Sequence, residues 1–414
     1  MSPNTILYVI IGISLAAFLF EQLLEVLNLS VKRRELPAEI ASFYDRDKYE
    51  KSLNYHEELT RFGFLTSGLG FLGSMIMLIF GGFGTLDAFL RTWFQSELLL
   101  ALAFFGVLLI VSDVLTLPFQ LYSIFVIEEK YGFNKMTLRT FMLDKLKSYV
   151  LAGILGGGLL ALLIVLLQWA GPGFWIWFGS IAAVFILAVN MFYTTLLLPL
   201  FNKLTPLPDG ELKSAIEAFA RRIDFPIDSI FVMDGSKRSA KANAFFSGIG
   251  SRKKIVLYDT LIKNHTTGEL VAVLAHEVGH FKKKHIVWSY VLSILQVFIM
   301  LYILSRMVFD TNLSLALGGS EQAIHLNLLA FGILYSPISG ILRLGMSLLS
   351  RRNEFEADAY ARETYDGSAL GTALKKLSVD NLSNLYPHPA YVFFHYSHPP
   401  LLQRLKALEK NSFR

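Results

Sequence analysis

The chain has 414 residues, of which 53% are hydrophobic and 17% are charged, against the roughly 25% charged residues expected of a soluble globular protein. This composition excludes disorder, collagen and coiled coils, and the absence of cysteine excludes disulfides, thiolate zinc fingers and a cysteine nucleophile. Any metal must be held by histidines and carboxylates, and the net charge of +5 must be explained by where the charges lie.

Seven stretches are long and apolar enough to cross a membrane, which takes about 20 mostly apolar residues. They are 5–27, 62–83, 98–127, 149–170, 174–200, 286–309 and 323–349. No basic residue precedes the first stretch and it lacks a small-residue cleavage site, so we interpret it as a retained span. The third would be about 45 Å long as a straight helix, which predicts tilt, a kink at Pro118 or protrusion beyond the membrane.

Loops that are rich in lysine and arginine alternate along the chain with loops that are poor in them. In chain order there are none before the first span and then 7, 1, 5, 0, 14, 1 and 9, where the last 1 is Arg306 at the end of the sixth span, counted with the loop that follows it, and Arg343 lies inside the seventh span. Because cytoplasmic loops carry the basic excess, we expect the N-terminus to face away from the cytoplasm. The parts expected to face the cytoplasm are 28–61, 128–148, 201–285 and the tail from 350. The basic charge is then an orientation signal, and we expect no nucleic-acid partner.

Polar residues interrupt the spans, namely Asp113, Asn190, Gln296, His325, Asn327 and Arg343. Such groups either hydrogen-bond between helices or line a water-filled cavity, and the sequence leaves both interpretations open. A transporter or channel is therefore an alternative function, although we find none of the internal repeats that would favour it. Glycines at four positions indicate close packing of helices, namely Gly63, Gly68, Gly70 and Gly73.

The segment 201–285 is less apolar and resembles a small α+β insert. Its predicted elements are a helix, Glu211–Arg222, and two strands, Ser229–Met233 and Lys254–Tyr258, with 242–246 between the strands. Thr266 and Glu269 have the spacing of a capping box, which starts a predicted helix containing 269–285.

That helix carries the pattern HExxH at 276–280. A spacing of four residues places His276 and His280 on one helical face, about one turn apart, where both imidazoles can bind one zinc ion. Glu277 then reaches a zinc-bound water and is predicted to act as the general base. The alternative is two ordinary histidines on an amphipathic helix at the membrane edge.

A catalytic zinc needs a third protein ligand and one open position. The extended metzincin pattern would place a third histidine at 286, but that residue is Ile286, and we expect His285 at the membrane interface. Glu321 is excluded because the predicted topology places it on the opposite side of the membrane. The carboxylates that remain follow the last span, and they are Glu354, Glu356 and Glu363.

Glu354 and Asp358 are four residues apart in the helical stretch 351–364, so both can face the zinc helix. We predict that Glu354 is the third ligand and that Asp358 accepts a hydrogen bond from a ligating histidine. The alternative is a solvated helix face on which Arg351 and Arg352 pair with the acidic side chains.

The second half of the chain contains five short motifs: KANAFFSG at 241–248, RKKIVLYDTL at 252–261, HEVGH at 276–280, NEFEAD at 353–358 and SHPPLLQRL at 397–405. Together with seven spans in this order, they resemble the integral-membrane zinc endopeptidase family of the CAAX prenyl protease 1 type over nearly the whole chain. The resemblance implies that Glu354 is the third zinc ligand and that Asp358 supports the site. It also implies seven helices around a large hollow chamber, with zinc at its cytoplasmic end.

The resemblance assigns three further residues. Asn243 would belong to an edge strand that pairs with an extended peptide and would help to bind the scissile carbonyl. His398 and Arg404 would lie beside the zinc and stabilise the transition state. Without the resemblance, Asn243 would be a turn residue and His398 an ordinary loop histidine.

The sequence therefore predicts a mainly α membrane protein with seven transmembrane helices and a small cytoplasmic α+β zinc-protease insert. Its expected parts are a membrane domain at 1–200, the insert at 201–285, spans six and seven at 286–349, and a cytoplasmic tail at 350–414 that completes the zinc site. We expect it in a bacterial inner membrane or the endoplasmic reticulum, surrounded by membrane lipids, with the active site facing the cytoplasm.

The expected activity is Zn2+-dependent cleavage of peptides or proteins near the C-terminus of lipidated or membrane-associated substrates. In the family that the chain resembles, this includes removal of the last three residues from a prenylated CaaX end. Turnover of damaged membrane proteins is the alternative where the host makes no prenylated proteins.

Overall fold

The computed structural model describes residues 1–31, 35–225, 227, 229–247 and 254–409, and for 246–247 it describes the backbone alone. Three motif residues lie outside the described residues. They are Gly248 of KANAFFSG and Arg252 and Lys253 of RKKIVLYDTL.

Helices dominate the described chain. Those of the first half are α1 (Pro3–Ser30), α2 (Arg46–Ile79), α3 (Gly82–Arg91), α4 (Glu97–Tyr122), α5 (Leu138–Leu151), α6 (Gly158–Ala170), α7 (Phe174–Phe192) and α8 (Leu198–Phe201). Those of the second half are α9 (Glu211–Arg222), α10 (Asp259–Asn264), α11 (Thr267–Lys282), α12 (His285–Met307), α13 (Thr311–Ala316), α14 (Ile324–Ala361), α15 (Gly367–Asp380), α16 (Pro389–His395) and α17 (Leu401–Glu409). Four π-helical segments adjoin them, at Ser123–Glu128, Ala152–Gly157, Tyr193–Leu197 and Arg362–Asp366.

Six helical runs of the described residues are long and apolar enough to cross a membrane. They are Pro3–Ser30, Arg46–Ile79, Glu97–Glu128, Leu138–Phe201, His285–Met307 and Ile324–Asp380. Only 6% to 17% of the residues in their most apolar windows are buried inside the protein. Apolar side chains that face outwards over such lengths are stable only in lipid. The protein is therefore an integral membrane protein.

The longest of these runs, Leu138–Phe201, contains a turn. Helix α6 ends at Ala170, Gly171 has a φ of 52°, and α7 begins at Phe174. The indole rings of Trp169 and Trp177, one on each side of this turn, lie 5.8 Å apart. The chain therefore changes direction in the middle of the run.

The segment between α8 and α12 forms an α+β unit around a four-stranded sheet. The strands are β1 (Leu204–Pro206), β2 (Ser229–Met233), β3 (Ala244–Ser247) and β4 (Lys254–Tyr258), in the order β1-β2-β4-β3. Strands β2 and β4 are parallel, with Ser229 opposite Lys254, while β1 and β3 are antiparallel edges. The predicted bounds of α9, β2 and β4 agree with the structure.

Helix α11 is the centre of this unit. Its N-terminus is closed by the predicted capping box, in which Thr266 Oγ1 accepts from the Glu269 N–H and Glu269 Oε2 accepts from the Thr266 N–H. Its buried face packs against the sheet, α9, α14 and α15 through apolar side chains, which include Leu270, Val271, Leu274, Ala275 and Val278. The site helix is therefore fixed along most of its length.

The predicted continuation of this helix to residue 285 is wrong. Helix α11 ends at Lys282, Lys284 adopts a left-handed conformation with a φ of 60°, and α12 begins at His285. The hydrophobic pattern does not signal this break because helical spacing continues on both sides of it. Its consequence is that α12 leaves the α+β unit in a new direction.

The polar residues of the spans differ in their surroundings. His325 and Asn327 are fully buried: His325 Nε2 lies 2.8 Å from Asp87 Oδ1, and Asn327 Nδ2 donates to the Val308 carbonyl at 2.7 Å. Asn190 and Arg343 are exposed on the described chain. Hydrogen bonding between helices thus accounts for part of this set, and the exposed members keep the cavity interpretation open.

The predicted close helix packing at the glycines between positions 63 and 73 is wrong. A Cβ added to any of the four would meet no described atom within 4 Å, because glycine is tolerated in membrane helices without a tight contact. The close approach lies instead at Gly84, where a Cβ would stand 1.9 Å from the Gly318 carbonyl oxygen. The Gly84 N–H also donates to the Leu317 carbonyl at 3.0 Å.

We therefore predict that Gly84→Ala destabilises the protein, because the methyl group would force α3 away from the turn after α13. Overpacking of this kind costs about 1–3 kcal/mol. Thermal unfolding in detergent should show a clear loss of Tm for Gly84→Ala, whereas Gly70→Ala should keep the wild-type value. Equal Tm values for both variants would contradict this packing.

Candidate active site

Two helices, α11 and α14, bring the predicted site residues together. They pack so closely at Gly279 that a Cβ there would lie 3.0 Å from the Ala357 Cα. The glycine of HEVGH therefore lets the backbone of α14 approach the helix that carries both histidines. Glu354 and Asp358, beyond the apolar segment of α14, are buried at this contact.

His276, His280 and Glu354 offer ligand atoms that all lie within 4.8 Å of one another. His276 Nε2 is 3.2 Å from His280 Nε2 and 3.4 Å from Glu354 Oε2, and His280 Nε2 is 3.2 Å from Glu354 Oε1. Ligand atoms at about 2.0–2.2 Å from a tetrahedral zinc stand about 3.3–3.6 Å apart. The spacing of the three side chains therefore fits a zinc-sized ion.

The tautomer of His276 follows from its other nitrogen. His276 Nδ1 lies 2.8 Å from Asp358 Oδ1, and because a carboxylate only accepts, Nδ1 carries the proton and Nε2 is left with a lone pair. Burial alone would lower the pKa of His276, but the carboxylates of Asp358 and Glu354, one beside each ring nitrogen, raise it to about 9. The surroundings of this ring thus favour a positive charge beside Nε2, which a metal cation also supplies.

Glu354 has an unsatisfied buried oxygen. Within the described chain, its Oε2 accepts no hydrogen bond although it is shielded from solvent. Burial would raise the pKa of this carboxyl, but His276 and His280 outweigh it and hold the pKa far below its ordinary value. Arg404 Nη1 lies 3.4 Å from this oxygen, which gives it a nearby positive charge but no hydrogen bond, and an ionised oxygen without a hydrogen-bond donor is costly in the interior. A metal ion between the three side chains would satisfy it, so the residues present fit a metal.

Asp358 is itself held by Arg404 of α17. Arg404 Nη2 lies 2.6 Å from Asp358 Oδ1 and Nε lies 2.8 Å from Oδ2, a two-point contact between side chains that are both almost fully buried. Burial opposes ionisation of Asp358, but the guanidinium lowers its pKa below the ordinary value. Breaking such a buried pair costs about 3–5 kcal/mol. Arg404 therefore keeps Asp358, which accepts the hydrogen bond from His276 Nδ1–H, ionised and in place.

Glu277 lies on α11 next to His276, His280 and Glu354, the three residues called the metal cluster from here on, without being part of it. Its side chain is half-buried, and among the described residues its carboxylate accepts no hydrogen bond. Burial raises the pKa of Glu277 above its ordinary value, against the lowering influence of His276 and His280. This carboxylate is available to a water or substrate and has a raised proton affinity, as a general base needs.

The two remaining predicted residues occupy different positions. His398 Nε2 lies 3.2 Å from Glu354 Oε1, and 64% of the His398 side chain is exposed, so this imidazole borders the cluster and remains accessible. Asn243 precedes the edge strand β3: its carbonyl accepts from the Tyr258 N–H and its side chain from the Ala244 N–H. No hydrogen bond joins Asn243 to the metal cluster in the part of the chain that the structure describes.

Sequence reasoning missed the role of His285. Its Nδ1 lies 3.1 Å from His280 Nδ1, and its Nε2 lies 3.2 Å from Glu356 Oε2. The spacing from His280 placed this residue off the metal-binding face, and only the chain break at Lys284, which the sequence pattern does not reveal, brings it beside His280.

A cavity of 1030 Å³ reaches His280 from the side of α7 and α12. Its lining is predominantly apolar and includes Ile186, Leu187, Tyr193, Ile286 and Val287. Asn190, one of the polar residues that the sequence left unassigned, also lines it. The volume is at the upper end of the range of about 300–1,000 Å³ for pockets that hold small molecules.

Comparison with known proteins agrees with this geometry. Residues 25–203 match the model for the CAAX prenyl protease N-terminal region with five membrane helices, and residues 206–412 match peptidase family M48. A CAAX prenyl protease 1 homolog of Arabidopsis thaliana is 35% identical over 97% of this chain and 96% of its own length. CAAX prenyl protease 1 of Saccharomyces cerevisiae is 35% identical over 97% of this chain and 94% of its own length. The crystal structure of S. mikatae Ste24p superimposes with a TM-score of 0.92 at 33% identity, covering 98% of this chain and 99% of that one.

We predict that Glu354→Gln abolishes stoichiometric zinc binding, because an amide does not replace the buried carboxylate that faces both imidazoles. Zinc content of the purified protein measured by plasma emission spectrometry tests this. Glu363→Gln is the matched control, since Glu363 also follows the last span but its side chain is 68% exposed, and it should keep the metal. Full zinc content in Glu354→Gln would exclude Glu354 as a ligand.

Proposed function

Because the chain belongs to peptidase family M48, it is a membrane-embedded metalloprotease, and we propose that its metal is zinc, held by His276, His280 and Glu354. The observation that carries this proposal is the cluster of two imidazole nitrogens from α11 and a buried carboxylate from α14 at zinc-like separations, with Glu277 on the same helix as the two histidines. Membership of a peptidase family over residues 206–412 favours an enzyme over a transporter or channel.

The proposed reaction is hydrolysis of a peptide bond. Zinc, when bound, lowers the pKa of a water to about 7 and polarises the carbonyl under attack. Glu277 takes the proton of the attacking water and returns it to the leaving amine, in keeping with its unpaired carboxylate and raised pKa. His398, exposed beside Glu354, donates to the oxyanion that develops on the substrate.

Arg404 has a different proposed role from the one that the family resemblance implied. Its guanidinium is buried and bound to Asp358 through two hydrogen bonds, so it orients Asp358 and, through it, His276. Because Arg404 is buried and His398 is exposed, His398 is the residue that contacts the substrate. Asp358 holds the His276 ring in the tautomer that presents Nε2 to the metal.

We propose that the substrate binds as an extended strand along β3. This strand is an edge of the sheet: within the described chain it pairs with β4 alone, which leaves main-chain groups on its other side for a peptide. Asn243 at its start is then placed to contact the scissile carbonyl or a neighbouring peptide group. Main-chain pairing makes little sequence demand, so selectivity must come from another feature of the substrate.

That feature, in our proposal, is a lipid group near the cleaved bond. Both relatives compared above carry the name CAAX prenyl protease 1, and the apolar cavity beside His280 is large enough to receive an isoprenoid group. Because the cavity adjoins His280, a proposed zinc ligand, an isoprenoid bound in it would lie beside the reacting carbonyl. The substrate is thus a prenylated CaaX end, and turnover of unlipidated membrane proteins is the alternative if the cavity contributes nothing to selectivity.

We also propose seven membrane spans, with the N-terminus away from the cytoplasm and the active site on the cytoplasmic side. The turn at Gly171 supports the seventh span, because 64 continuous helical residues would extend about 96 Å at 1.5 Å per residue, three times the hydrocarbon core. The strict alternation of basic loops supports the orientation. The chain would then consist of the four parts expected from its sequence, in a bacterial inner membrane or the endoplasmic reticulum.

Glu277→Gln should retain zinc but lose about 10²–10⁴-fold in kcat on a fluorescent peptide, because it removes the proton acceptor and leaves the ligands intact. Glu217→Gln, an exposed carboxylate on α9, is the matched control and should cleave at the wild-type rate. Wild-type kcat in Glu277→Gln would exclude it as the base. A wild-type protein that neither binds zinc nor cleaves would contradict the proposed function.

Leu187→Trp should reduce the preference for a farnesylated peptide over the same peptide without the lipid, because the indole occupies the cavity. We expect the ratio of the two kcat/KM values to fall at least tenfold, a loss of about 1.4 kcal/mol in discrimination. Val184→Trp is the control on the same helix, since Val184 is 68% exposed and does not line the cavity. An unchanged ratio in Leu187→Trp would show that the lipid binds elsewhere.

A further inference from the structure

Each proposed histidine ligand has a hydrogen-bond partner on the nitrogen that points away from the metal cluster. For His276 the partner is Asp358, directly. For His280 it is His285, whose Nδ1 lies 3.1 Å from His280 Nδ1. His285 is 6% exposed, and its Nε2 lies 3.2 Å from Glu356 Oε2. These contacts form a chain from Glu356 through His285 to His280.

The direction of the hydrogen bonds in this chain is determined by chemistry. An ionised carboxylate only accepts, so the proton between His285 and Glu356 resides on His285 Nε2. In a neutral imidazole the other nitrogen is then an acceptor, so His285 Nδ1 accepts from His280 Nδ1–H. His280 Nε2 is left with its lone pair directed toward His276 Nε2 and Glu354 Oε1.

We propose that His285, held by Glu356, is a positioning residue that fixes the tautomer and ring orientation of His280 for metal binding. The inference rests on the proposed zinc function and deepens it. Each ligating imidazole is then oriented by its own carboxylate, directly by Asp358 for His276 and through an intervening imidazole for His280. Hydrogen-bond partners of metal ligands typically raise metal affinity in this way.

The backbone explains how His285 reaches this position. The left-handed residue Lys284 breaks the helix, so that the first residue of α12 returns toward the end of α11. Glu356 is held from its outer side, because Arg352 Nε lies 3.0 Å from Glu356 Oε1. His280, His285 and Glu356 therefore come from α11, α12 and α14. The end of the helix at Lys284 is what brings His285 between the other two.

The test is the zinc affinity of the detergent-solubilised full chain, measured by competition with a chelating dye. His285→Phe keeps an aromatic ring but removes both nitrogens, and we expect the Kd for zinc to rise about 10–100-fold. Glu356→Gln should change it in the same direction by less. His285→Gln should recover part of the affinity, because its amide can accept from His280 and donate to Glu356.

His265→Phe is the matched control. His265 is also buried in the α+β unit, but its Nδ1 bonds to the Leu261 carbonyl at 3.0 Å, away from the metal cluster. This variant should bind zinc like the wild type. If His285→Phe also binds zinc with wild-type affinity, the inference is overturned while the proposed function stands.

A second measurement separates positioning from stability. If His285 acts on the metal, saturating zinc should return peptide cleavage by His285→Phe toward the wild-type rate, and the Tm of the metal-free variant should equal that of the metal-free wild type. Activity that excess zinc does not restore, together with a lowered metal-free Tm, would assign His285 a purely structural role. A wild-type chain without zinc affinity would remove both the inference and the proposed function.

Discussion

The candidate active site depends on one physical effect, the repulsion between electron-rich atoms that are held close together in a buried place. Two imidazole nitrogens whose protons are directed elsewhere and an ionised carboxylate face one another at 3.2–3.4 Å, with little access to water. In a low dielectric medium, such groups repel one another unless a cation lies between them. The hydrogen bonds of His276 with Asp358 and of His280 with His285 hold the Nδ1 protons away from the cluster, so a metal ion or an added proton must offset this repulsion.

The fold assembles these groups from distant parts of the chain. The α+β unit supplies α11 with both histidines. The last predicted span forms the first part of α14, which carries Glu354 and Asp358 beyond it, and α17 near the C-terminus supplies Arg404. Gly279 lets α11 and α14 approach, Asp358 of α14 holds His276 of α11, and the buried pair of Arg404 and Asp358 joins α17 to α14. The membrane helices and the catalytic unit are thus joined at the metal cluster itself, so a change in the position of α14 would alter the cluster.

Features with a local chemical signature could be predicted from the sequence. The capping box at Thr266, the bounds of β2 and β4, and the HExxH helix depend on nearby residues, and the structure agrees with them. Glu354 could be predicted as a neighbour of the histidines because the membrane topology limited the candidate carboxylates, and the structure brings it to them. Its role as a ligand stays a prediction.

Features that depend on contacts between distant segments could not be predicted in this way. The break at Lys284 has no signal in the hydrophobic pattern, and therefore the contact between His280 and His285 was missed. Four glycines between positions 63 and 73 suggested close helix packing, but the close approach lies at Gly84, because the position of the partner segment decides which glycine is needed. Arg404 was expected to act on the transition state, whereas its burial against Asp358 favours a positioning role.

The most direct test of the central claim is anomalous X-ray diffraction from crystals of the purified protein, with data collected on both sides of the zinc absorption edge. The account predicts one strong peak, present only above the edge, within bonding distance of His276 Nε2, His280 Nε2 and a Glu354 oxygen. A zinc peak bound by other side chains, or a fully folded and active enzyme without a peak at this position, would contradict it.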